Sequence, residues 1–178
     1  SISVIRVHWF DSMPETKPAS KVSRGKYLST VPPQEIVPII DGRYESSVKG
    51  IFVIGDVTGF PLVKVAANQG REVIERMAGD KVISSEGSNK QDGSAQDGLD
   101  LVIIGGGPAG ISAGIEAAKR GWKYVVLERS KVASTVRSFP PGKKVYAEPS
   151  SMQSNSELDV TVDRDKDEFL QLMQDSID

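Results

Sequence analysis

Four apolar residues running straight into three glycines constrain this chain more than any other feature. Leu101-Val102-Ile103-Ile104 is a continuous apolar run of the kind a parallel sheet buries on both faces. Gly105-Gly106-Gly107-Pro108-Ala109-Gly110 follows with no spacer. A helical stretch from about Ala109 to Arg120 comes next, with Ile111, Ile115 and Ala118 spaced i, i+4 and i+7. Gly121 ends it, and Tyr124-Val125-Val126-Leu127 predicts the next strand, closing at Glu128, 18 residues beyond Gly110. A strand, a glycine-rich turn opening a helix, and a second strand ending in an acid make one βαβ unit.

Glycine-rich hexapeptides are common, but Gly105-x-Gly107-x-x-Gly110 stands in the context that a dinucleotide fingerprint requires. Gly105 permits the tight turn, Gly107 lets the backbone approach a pyrophosphate, and Gly110 lets the helix pack closely on the strand. Pro108 and Ala109 complete the turn. The first helical N–H groups and the positive end of the helix dipole would bind the phosphates. Glu128 would accept hydrogen bonds from the adenosine ribose hydroxyls and repel a 2′-phosphate, which disfavours NADP at this position. Arg129, next in the chain, would soften that repulsion if it turned inward. A free ribose suits FAD and NAD alike.

Charge and composition remove other classes. The 22 basic and 24 acidic residues leave a net charge of −2, with no basic field for nucleic acid and no polybasic patch for a membrane surface. No apolar run approaches the ~18 residues of a membrane span. With no cysteine and one histidine, His8, the sequence offers no disulfide, iron–sulfur ligand set, dithiol centre or histidine-rich metal site. Redox chemistry here has to come from a bound cofactor. The opening Ser-Ile-Ser-Val-Ile-Arg lacks the apolar core and cleavage site of a secretory signal, so a cytoplasmic location is expected.

The chain divides into segments 1–83 and 99–178, joined by 84–98. That joining stretch is rich in Ser, Asp, Gln and Gly, and it reads as a flexible linker. In the first segment a strand is expected within Ser3–Phe10. Residues 11–38 carry five prolines (Pro14, Pro18, Pro32, Pro33 and Pro38) and favour extended connections. Ile51-Phe52-Val53-Ile54 is a second buried-strand run, stopping at Gly55-Asp56. A helix is expected from about Leu62, with Leu62, Val65, Ala66, Val73 and Met77 sharing a side and Gly79-Asp80 closing it. Near the other end, Asp165 and Glu168 form a capping-box pattern, followed by an apolar stripe of Phe169, Met173 and Ile177.

The run Ile104–Ala117 resembles the N-terminal FAD motif of thioredoxin-reductase-like flavoproteins, within the pyridine nucleotide-disulfide reductase superfamily. Gly50-Ile-Phe-Val-Ile-Gly-Asp-Val-Thr-Gly is similar to the C-terminal FAD motif of the same proteins, and residues 41–50 to the connector leading into it. The resemblance implies a Rossmann-like FAD/NAD(P)-binding parallel sheet with flanking helices, incomplete or permuted. It implies that Asp56, presented by Gly55, hydrogen-bonds a ribityl hydroxyl of FAD. The helix from Leu62 would then aim its N-terminus at the flavin, with Lys64 within reach of the ring. Ser134–Tyr146 resembles a subgroup that includes bacillithiol-disulfide-reductase-like proteins, which places Ser134, Thr135 and Val136 near the flavin. That subgroup has a cysteine in the glycine-rich turn where this chain has Ala109, so direct disulfide reduction by this chain is not expected.

In the superfamily the glycine-rich turn comes first, a nicotinamide domain next and the Gly-Asp motif last. Here the Gly-Asp motif precedes the turn and no nicotinamide domain lies between them. One account makes the chain the tail of one flavoprotein module followed by the head of the next, and the start at Ser1 without a Met and the unterminated end at Asp178 make this the preferred expectation. The other makes it a permuted FAD domain in which 1–83 completes 99–178. The implied function is hydride transfer from NAD(P)H through FAD to an external acceptor. The small-molecule partner is a dinucleotide, and an electron-carrier protein or a separate nicotinamide domain is the expected protein partner. Two rivals remain at this point: an NAD-binding dehydrogenase without flavin, and a non-catalytic nucleotide-binding or interaction module.

Overall fold

The computed structural model describes residues 3–7, 38–83 and 98–177. His8, the end of the first expected strand at Phe10, the extended connections across 11–37 and the linker up to Asp97 lie outside the described residues. The strands are β1 (Ser3–Val7), β2 (Ile51–Ile54), β3 (Leu101–Ile104), β4 (Tyr124–Leu127), β5 (Lys144–Val145) and β6 (Arg164–Asp165). The helices are α1 (Val63–Gly79), α2 (Pro108–Lys119), α3 (Ser134–Arg137) and α4 (Lys166–Asp175).

Four strands form one sheet in the order β2-β1-β3-β4, and β5 pairs with β6 in a separate antiparallel ladder. The β3–β4 pair is parallel, as a βαβ crossover requires. β1 runs antiparallel to both β2 and β3. The sheet is therefore mixed, which corrects the expectation of an all-parallel one. The run in β2 is buried from Phe52 to Ile54, whereas β3 buries Leu101 and Ile103 on one face and leaves Ile104 exposed on the other, which corrects the expectation of burial on both faces there; neither run reports the direction of the neighbouring strand. Because β1 opposes both neighbours, β2, β3 and β4 all point the same way.

One core lies between the sheet and the helix pair α1–α2. It contains Phe52, Ile54, Leu101 and Ile103 from the strands, with Val73, Ile74, Met77, Ala109, Ala113 and Ala117 from the helices. A second core is built from Ala67, Ile111, Val136, Leu158, Phe169 and Met173. α2 serves both, with Ala109, Ala113 and Ala117 turned to the first and Ile111 and Ile115 to the second. Small residues at i, i+4 and i+8 let α2 approach α1: a methyl at Gly70 would overlap the Ala109 carbonyl oxygen and lie 2.9 Å from Ser112 Cβ. Ser112, itself buried, donates to the Ala67 carbonyl at 2.7 Å and shares a 2.7 Å hydrogen bond with Ser156. Both segments of the chain thus enter one sheet and one core.

Several edges of the expected elements differ. Ala118 is exposed, because the buried arc of α2 is centred on the alanines and Ile111. Leu62 is the exposed N-cap of α1 and lies outside its buried side, and the left-handed residue after that helix is Lys81 (φ 54°), not Gly79. Ile177 lies beyond the end of α4 and is exposed, while Phe169 and Met173 are buried as the stripe predicts. The capping box forms: Asp165 accepts from the Asp167 and Glu168 amides, each at 3.0 Å, and Glu168 accepts from the Asp165 amide at 3.1 Å. No described helix is long and apolar enough to cross a membrane.

Candidate functional site

The register carries the two motifs to one end of the sheet. Ile54 pairs with Ser3, Ile104 with Val4, and Ile104 with Leu127. The residues that follow those strand ends, Gly55-Asp56, Gly105–Gly107 and Glu128, therefore leave the sheet on the same side. β2 and β3 are separated only by β1, so the two turns begin about 10 Å apart at ordinary strand spacing.

At β3, the Gly105 amide donates to the Leu127 carbonyl at 2.8 Å and continues the parallel ladder. Gly105 then takes φ 107°, a conformation that glycine adopts without penalty. Gly107 differs: its φ of −86° and ψ of −178° suit any residue. Gly110 is required by packing, since a methyl there would overlap the Gly105 carbonyl oxygen and sit 3.3 Å from Ile103 Cγ2. Gly107, Ala109 and Gly110 are buried and Pro108 is half-buried. Gly107 is the N-cap of α2, Pro108 occupies the first turn, and no side chain makes a cap hydrogen bond there. The first helical N–H groups consequently lack a side-chain acceptor.

Glu128 is tied into this turn. One carboxylate oxygen accepts the Gly106 amide at 2.7 Å and the other accepts the Ser130 amide at 2.9 Å. The Gly106 hydrogen bond, with those of Ser130 and Arg129, outweighs desolvation and holds the carboxyl below its usual range. Gly106 in turn accepts the Ala133 amide at 2.9 Å, where Ala133 takes φ 54° and leads into α3. That bond brings the start of α3, half-buried Ser134 and exposed Thr135, beside the glycine-rich turn, while Val136 is buried in the second core. Arg129 is exposed.

At β2, Gly55 is buried with φ 84° and opens a 3-10 turn over Asp56–Thr58. The Thr58 amide and hydroxyl both donate to the Gly55 carbonyl, at 2.9 and 2.8 Å. Asp56 is half-buried at the first position of that turn. α1 begins beyond it with Leu62 as an extended N-cap, again without a side-chain cap. Lys64 is buried and donates from Nζ to the Pro149 carbonyl at 2.9 Å, so its ammonium is engaged with the loop before β6.

Two residues escaped the reading of the sequence. Gln69 accepts the Gly55 amide at 2.7 Å and donates to Thr58 Oγ1 at 3.1 Å, from the buried side of α1. Its signal was a polar residue four positions before Val73, inside an apolar helix face. Ala133 had no signal, because a left-handed alanine is fixed by its surroundings. Among the described residues, no group of three or more His, Cys, Asp and Glu side chains is placed to hold a metal ion.

Neither a curated protein nor a solved structure matches the chain. Residues 102–172, about two fifths of the chain, match the model of the pyridine nucleotide-disulphide oxidoreductase family, and that match supports this family for the segment holding the glycine-rich turn, Glu128 and α3.

Proposed function

We propose that the chain is an FAD-binding oxidoreductase region of thioredoxin-reductase-like type, which passes hydride from NAD(P)H through FAD to an external acceptor. In this reading 1–83 supplies the Asp56 side of the site, 99–178 supplies the phosphate side, and 84–98 joins them. The observation that carries it is the arrival of Gly55-Asp56, the glycine-rich turn and Glu128 at one end of one sheet.

The donor set fits a dinucleotide. The uncapped first turn of α2 offers N–H groups to a pyrophosphate, and the positive end of its dipole favours that charge. Glu128, held by the Gly106 amide, would accept from ribose hydroxyls with its remaining lone pairs and would disfavour a 2′-phosphate. Asp56 accepts from a hydroxyl of the ribityl chain, and Ser134 and Thr135 line the approach beside the turn. Bound flavin supplies the hydride-accepting chemistry. Lys64 holds the Pro149 segment in place through its 2.9 Å hydrogen bond and is not assigned to the ring. With no cysteine in the chain, electrons bound for a disulfide have to leave to another protein or small molecule. A nicotinamide domain or electron carrier is the partner this reading requires, and its location is cytoplasmic.

The test is a visible spectrum of the chain purified with FAD and freed of unbound flavin. The wild-type chain should retain flavin stoichiometrically, and Gly107→Val should lose it while keeping its circular dichroism. The Gly107 backbone angles admit valine, and because the position is buried, the circular dichroism of the variant separates blocked ligand approach from a packing failure. An empty wild-type chain, or full retention by Gly107→Val, would overturn the proposal. Binding of NAD without FAD would give the dehydrogenase reading in its place.

A further inference from the structure

One peptide unit of α1 touches both turns of the site. Gln69 reaches the Gly55 turn through two hydrogen bonds, its oxygen 2.7 Å from the Gly55 nitrogen and its nitrogen 3.1 Å from Thr58 Oγ1. The next residue, Gly70, presses its bare Cα against the first turn of α2, where any side chain would meet the Ala109 carbonyl, Ser112 Cβ and the Ala113 nitrogen. Ala109 lies two residues after Gly107, so this contact is made at the phosphate side of the site. We infer that Gln69-Gly70 sets the spacing between the two turns, and that Gln69 is a positioning residue for Asp56. The inference rests on the flavin reading for its functional consequence.

The physical need is specific. Gly55 takes φ 84°, and glycine is the residue with most backbone freedom to lose. Its N–H points into the protein, where an unpaired donor is costly. Thr58 secures the Gly55 carbonyl from within the turn, and Gln69 secures the amide from a different element. Asp56 follows Gly55 directly, so the two peptides flanking Gly55, one held at its amide by Gln69 and the other at its carbonyl by Thr58, together decide where the carboxylate points. Gln69 is 8% exposed, and both the oxygen and the nitrogen of its side-chain amide bond this turn. An ordinary buried glutamine would stabilise the whole core. A positioning residue acts on the Gly55 turn and leaves α2 unchanged.

Amide hydrogen exchange by NMR on the full chain separates the two. Gln69→Met should speed exchange of the Gly55 amide at least tenfold and leave the Ile111 amide of α2 unchanged. In binding titrations the same variant should bind FAD about tenfold more weakly and ADP, which lacks the flavin half, within twofold of wild type. Thr58→Val, which cuts the other arm of the clamp, should move Gly55 exchange and FAD affinity the same way by a smaller factor, and it decides the matter if Gln69→Met does not fold. Unchanged Gly55 exchange overturns the inference. So does an equal acceleration at Ile111, or an equal loss of ADP and FAD, since either makes Gln69 a general core residue. A wild-type chain that binds no FAD, with Gly55 exchange still accelerated by Gln69→Met, removes the flavin reading and leaves the clamp standing.

Discussion

Glu128 shows how a single carboxylate can serve the fold and a ligand together. Its two oxygens take the Gly106 and Ser130 amides, so the residue shapes the glycine-rich turn before any ribose arrives. Its folded pKa is lowered, first by the Gly106 hydrogen bond. A lowered carboxyl pKa stabilises the fold above the unfolded value near 4.5, and that contribution is lost as pH falls through the folded value. Glu128→Gln should therefore be less stable than wild type at pH 7, and the difference should shrink as pH falls below about 4.5. Solvent screening at this partly exposed group keeps the effect under about 1 kcal/mol. Urea titrations of both proteins across that range check it. The glycines divide by cause in the same region. Gly105 is needed for its φ of 107°, and Gly110 for the space its missing side chain leaves to the Gly105 carbonyl.

At the scale of elements, local chemistry and packing make separate contributions. The start of α4 is local, because Asp165 and Glu168 satisfy each other's backbone within four residues. Asp165→Ala should cost about 1 kcal/mol, seen as a lowered urea midpoint with unchanged slope. The α1–α2 crossing is a packing matter. Gly70→Ala puts a methyl against a backbone carbonyl that cannot swing away, and a misfit of this kind costs ~1–3 kcal/mol. Thermal unfolding followed by circular dichroism should show the drop, with Gly79→Ala as the control because open space surrounds Gly79. Periodicity found α2 to within a residue at each end, yet it put Ala118 on the buried side. A helix pressed by two cores has a buried arc wider than one stripe, and its centre depends on where the second core lies.

The whole molecule joins segments that the chain keeps far apart. β1 pairs with β2 of its own segment and with β3 of the other, and α1 packs on α2 beneath them. Produced as separate polypeptides in one cell, 1–83 and 98–178 should co-purify as a one-to-one complex. Val73→Asp, which places a charge in the shared core, should abolish that complex. Size-exclusion chromatography with mass determination reads both outcomes. Recovery of the two pieces only as independent species would show that the shared sheet does not hold them.

The strand runs, the glycine-rich turn, the capping box and the acid at the end of β4 were all written in the sequence. Each depends on residues within a few positions of one another, where backbone freedom, capping and alternation of burial act. What only the tertiary structure decided was partnership at a distance. β1 entered the sheet antiparallel between β2 and β3, Gln69 turned from a helix face to hold Gly55, and Lys64 settled on Pro149. Those choices depend on which buried donors and apolar faces meet once the chain has closed on itself, and no local pattern encodes such meetings.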